Sequence, residues 1–91
     1  MSNVIPGGWT DFCFELPTDA KRVFEEAIMG MTGVGYTPHA FATQVVSGTN
    51  YCFLCKANGV YPGAADYAVT VYIYRPVQGP VHIMKIVLIH P

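Results

Sequence analysis

Charge is what this chain has least of. Five Lys and Arg stand against six Asp and Glu in 91 residues, and no basic run occurs. Such a surface has no electrostatic footprint for a phosphate backbone or an anionic membrane, so neither nucleic acid nor membrane is an expected partner. No secretory leader is expected either, because Met1, Ser2, Asn3 and Val4 are not basic and no apolar stretch follows them. The most apolar later run, residues 81–89, is interrupted by His82 and Lys85 and is too short to span a bilayer. These absences point to a soluble, cytoplasmic chain.

Cysteine is scarce and odd in number: Cys13, Cys52 and Cys55. An odd count without a leader argues against a disulfide framework and for a reducing compartment. Cys52 and Cys55 have the spacing of half a zinc site, yet His39, His82 and His90 offer no second ligand pair. If residues 50–57 form a strand, positions 52 and 55 also point to opposite faces. Buried free thiols are therefore expected, with no metal and no cofactor. None of the cysteines carries a local nucleophile signature, and Asp11, Asp19 and Asp66 share no motif, so the chain does not read as an enzyme.

What is abundant is apolar surface. At 52 %, it suffices for one continuous core, and the length allows a single domain over residues 1–91. After Leu16 and Pro17, Thr18 can cap a helix and Asp19 suits its first turn. Ala20, Val23, Phe24, Ala27, Ile28 and Met31 then form one apolar stripe, with Lys21, Arg22, Glu25 and Glu26 opposite. Gly30, Gly33 and Gly35 stop it. Such a stripe must lie on something.

From Pro38 onward, period-two patterns rich in β-branched and aromatic residues predict strands over residues 41–46, 51–57, 67–75 and 81–89. Turns are expected over residues 47–50, 58–63 and 76–80. In the third strand, Tyr67, Val69, Val71 and Ile73 share one face and Ala68, Thr70, Tyr72 and Tyr74 the other. Short connections between successive strands mean an antiparallel meander. A further strand over residues 9–14 is possible before the helix. The expected fold class is α+β: one helix packed across a four- to five-stranded antiparallel sheet.

Two segments carry a resemblance. Gln44, Val45, Val46, Ser47, Gly48, Thr49, Asn50 and Tyr51 resemble the first binding hairpin of the cystatins, whose Q-x-V-x-G motif continues in the stefins as T-N-Y. Ile5, Pro6, Gly7 and Gly8 look like the I-P-G-G start of the animal stefins. The order of elements also agrees, so the resemblance covers essentially the whole chain and implies a cystatin-like fold. Departures are a shorter helix region, the aromatic segment of Trp9, Phe12 and Phe14, an insertion near residues 61–66, and a second hairpin without tryptophan. That second hairpin corresponds to Pro76, Val77, Gln78 and Gly79.

The resemblance implies a reversible, competitive inhibitor of papain-like cysteine proteases that fills the V-shaped cleft with an N-terminal arm, residues 1–8, and two hairpin loops. Gly7 and Gly8 would let the backbone approach the cleft wall without a Cβ. Pro6 would hold Ile5 extended and lower the ordering cost of binding. Val45, Val46 and Ser47 would fill the leaving-group side. Taken alone, Gly7 and Gly8 are compatible with a flexible tail and the two hairpins with ordinary turn chemistry, and only their joint order favours inhibition. Stefin-like proteins exchange strands, so a monomer able to form a domain-swapped dimer is also implied. The competing expectation is a cystatin-fold binding or assembly module that inhibits nothing.

Overall fold

The computed structural model describes residues 8–59 and 62–90. Helix α1 spans Thr18–Ile28, and the strands are β1 Tyr36–Val46, β2 Gly48–Ala57, β3 Tyr67–Arg75 and β4 His82–Leu88. The four strands form one antiparallel sheet in the order β1-β2-β3-β4. With α1 packed on one face, the architecture is α+β. Among the described residues, no helix is long and apolar enough to cross a membrane.

The helix boundaries differ from those the sequence predicts. Pro17, at φ −67° and ψ 164°, takes the cap position without a side-chain bond, and Thr18 is the first helical residue. The proline ring fixes φ near the required value, and the Pro17 carbonyl accepts the Lys21 amide at 3.0 Å. The helix ends at Ile28, which leaves Met31 outside the stripe and 39 % exposed. Ala20, Val23 and Phe24 carry the burial.

Strand β1 starts at Tyr36, five residues before the expected 41, because its pairing runs through Pro38. The register shifts between Pro38 and Ala40, and an irregularity is where a strand tolerates proline. The four-residue turn expected over 47–50 contracts to Ser47, with Val46 paired to Gly48, Val45 to Thr49 and Gln44 to Asn50. Strand β3 has the expected bounds, and Val69, Val71 and Ile73 face the helix. Strand β4 is one residue shorter at each end than expected, and its register shifts where Tyr72 pairs Lys85 but Ile73 pairs Ile83.

The core lies between α1 and the sheet and centres on Phe53, which has no exposed surface. Phe24 of the helix meets it edge-on, with ring centroids 5.0 Å apart, while Phe41 and Tyr51 stack beside it at 6.1 and 5.7 Å. Among the described residues, no polar or charged side chain is buried.

The opposite face is also partly covered. Residues 9–14 do not form the fifth strand. They make two isolated bridges to β1, Trp9 with Gln44 and Cys13 with Phe41. Gln44 is three positions from Phe41 but Trp9 is four from Cys13, so the segment cannot keep a regular ladder. Thr10 compensates in part, its hydroxyl accepting the Thr43 amide at 2.9 Å. The Trp9 ring contacts Tyr72 edge-on at 5.9 Å, and Trp9, Phe12, Ala42, Cys52 and Tyr72 line a recess of about 170 Å³ on that face.

Because Phe53 touches the helix and both its sheet neighbours, Phe53→Ala should cost about 3–5 kcal/mol of stability. Urea unfolding followed by far-ultraviolet circular dichroism measures it. A loss under about 1 kcal/mol would show that the core does not centre there.

Candidate functional site

Antiparallel connections place the β1-β2 and β3-β4 turns at the same end of the sheet. The described chain begins there too, since Trp9 is bridged to Gln44 and Gly8 precedes it. Of the sequence-predicted site residues, Gly8, Gln44, Val45, Val46, Ser47, Gly48, Pro76, Val77, Gln78 and Gly79 thus gather at one end. Ile5, Pro6 and Gly7 lie outside the described residues.

At the first tip, Gln44 is not a free polar group awaiting a partner. The Asn50 side-chain amide donates to its Oε1 at 2.8 Å across the hairpin, from the position directly opposite. Gly48 has φ +95°, a region that L side chains rarely adopt. A Cβ there would also lie 2.5 Å from the Arg75 carbonyl oxygen and 2.9 Å from the Tyr74 hydroxyl. The glycine therefore allows both the sharp reversal and the close approach of β3. Beyond it, Val45 and Val46 stand out at 65 % and 44 % exposure.

The second turn follows Arg75 and closes through Gly79, at φ +109°. Val77 at its tip is 77 % exposed. Between the two turns runs a groove of about 550 Å³, with Gly48 and Thr49 on one side and Pro76, Val77 and Gly79 on the other. The site is thus two tight turns with exposed valines and a shallow cleft between them, which Glu26 of α1 and Arg75 also line. Among the described residues, no group of three His, Cys, Asp or Glu could hold a metal ion.

The sequence pattern places Tyr74 on one face of the third strand and assigns it no role at the site. Its hydroxyl donates to the Ser47 carbonyl at the first tip. The only available signal was its position two residues before Pro76, and its partner follows from register alone. Trp9 belongs to the aromatic segment by which the chain departs from the stefin pattern, but its packing across the outer face depends on the interrupted bridge pattern.

The cysteines occupy opposite faces as the strand pattern requires. Cys55 belongs to the core under the helix, and Cys52 lines the outer recess. Burial, and then the neighbouring Cys52, push the Cys55 thiol from its ordinary 9.0 up to about 12. Burial likewise raises Cys52, against smaller opposing effects from Tyr72 and Lys85. Both remain protonated at neutral pH and so are poor nucleophiles. Comparison of the chain with known protein families, characterised proteins and solved structures found no match.

Two outcomes follow. At pH 8 a disulfide reagent should titrate one thiol quickly in the folded protein, the exposed Cys13, and the other two only on unfolding. Fast reaction of all three would mean the sheet does not enclose its cysteines. Gly48→Ala should destabilise by about 1–3 kcal/mol through strain and collision. Val45→Ser should stay within about 0.5 kcal/mol, and thermal melts of the two variants give the comparison.

Proposed function

We propose that this chain is a cystatin-like, reversible and competitive inhibitor of papain-like cysteine proteases, acting in the cytoplasm and plugging the active-site cleft with its N-terminal arm and two turns. One observation carries the reading: the first hairpin, the second turn and the start of the described chain converge on one end of the sheet, and the two turns expose Val45, Val46 and Val77 there.

The physics of a plug suits these groups. Valine side chains are stiff at χ1 and lose little of their own freedom on binding, and each contributes up to about 1.5–3 kcal/mol if fully buried in an apolar groove. Gly48 and Gly79 permit the tight reversals that carry these tips, at φ values that other residues rarely adopt. No nucleophile, acid-base pair or metal ligand set is needed, because such an inhibitor blocks access without reacting.

A second reading has its own support. Gln44 and Gly48 both have complete roles within the fold, in the Asn50 bond and in the approach of β3. The motif residues could thus serve hairpin geometry in a binding or strand-exchanged assembly module that leaves proteases alone.

Titration of active-site-calibrated papain with the folded domain separates the two. The inhibitor reading expects reversible, competitive inhibition at micromolar concentration or below, weakened by deleting residues 1–8 with the melting temperature preserved. Val45→Asp should weaken it at least about tenfold, since a charge would be desolvated at the interface. Papain left fully active by a folded sample would rule out inhibition and favour the module.

A further inference from the structure

The register lines up four side chains across all four strands on the face away from the helix: Gln44 on β1, Asn50 on β2, Tyr74 on β3 and His82 on β4. Adjacent members interact at both ends of this row. Asn50 donates to Gln44 at 2.8 Å, and the Tyr74 and His82 rings meet edge-on at 5.6 Å and 70°. The row lies immediately below the two turns, since Gln44 and Asn50 flank the first hairpin and Tyr74 and His82 flank the second.

Tyr74 does more than complete the row. Its ring rests on the strand leaving the second turn, while its hydroxyl reaches over Asn50 to donate to the Ser47 carbonyl at the first tip. The missing side chain of Gly48 makes that reach possible, because a Cβ would lie 2.9 Å from the Tyr74 oxygen. Ser47 stands between the last residue of β1 and the first of β2, so its carbonyl belongs to neither strand. A donor there is the kind of contact that removes freedom from a hairpin tip.

We infer that Tyr74 is a positioning residue that locks the first hairpin tip to the second turn, so that the two present their exposed valines as one rigid unit. In the proposed inhibitor, on which the binding half of this inference rests, Tyr74 would act by preorganising the two tips. Freeing the carbonyl would leave the strands intact and let the tip sample conformations that must be given up on binding. That cost appears mainly as faster dissociation.

Tyr74→Phe keeps the ring on His82 and removes only the hydroxyl, while His82→Ala removes the ring's support and leaves the hydroxyl. Amide hydrogen exchange should show faster exchange of the Ser47, Gly48 and Thr49 amides in both variants, with the β2 and β3 interior unchanged and the melting temperature within a few degrees of the parent. Against papain, Tyr74→Phe should raise the inhibition constant about two- to tenfold, the value of one hydrogen bond, mostly through the dissociation rate. Unchanged exchange at the tip in Tyr74→Phe would overturn the lock whatever papain does. A loosened tip with an unaltered inhibition constant would overturn its part in binding. If the parent protein leaves papain untouched, the inhibitor reading falls, and faster tip exchange in both variants would still establish the lock.

Discussion

The edge-on contact between Phe24 and Phe53 is the constraint on which the rest of the molecule depends. Eleven residues without a side-chain cap do not make a stable helix in water, so α1 exists because its apolar stripe lands on the sheet. The sheet in turn needs the helix, since β2 and β3 present one almost wholly apolar face. Phe53 joins the two requirements by stacking with Phe41 and Tyr51 along the sheet while receiving Phe24 from above. With the core settled in the middle of the sheet, the turn end is released from packing duty. Val45, Val46 and Val77 can stay exposed there without weakening the fold.

How much was legible in the sequence depends on the kind of interaction. Strand β3 could be read to the residue, because the alternation of Val69, Val71 and Ile73 with polar or aromatic neighbours is a local pattern enforced by burial. The helix stripe was equally plain, although its ends were not, because Pro17 replaced the expected Thr18 cap and Met29 closed the helix before Met31. The site was half legible. The glycine of the first hairpin and the proline and glycine of the second announce turns, and antiparallel order brings them to one end. The Asn50 to Gln44 bond and the Tyr74 to Ser47 bond could not be read, because both depend on how far each strand slides against the next. A one-residue change of register would separate every one of those pairs. The expected four-residue turn concealed the first of them by assigning Asn50 to the loop.

The two edges of the sheet are treated differently. On the β1 side the segment from Trp9 to Cys13 occupies part of the ladder, with the Thr10 and Cys13 amides donating to β1 carbonyls and the Phe41 amide to Cys13. On the β4 side no described strand pairs, and the protection is of another kind: the shifted register at Met84 and the cation of Lys85, held 4.7 Å over the Tyr72 ring. A bulge and a lysine are the usual defences of an open edge against unwanted pairing.

Trp9 is the chain's only tryptophan, and it sits on the outer face against Tyr72, away from the aromatic stack that holds the helix. The outer segment and the helix therefore have separate optical signatures. Indole emission reports whether residues 9–14 lie on the sheet, and far-ultraviolet dichroism reports whether the helix that Phe24 anchors is formed. If the segment lifts away before the helix, the fluorescence transition will precede the dichroic one. The spectroscopist then sees as two steps what a single probe would register as one.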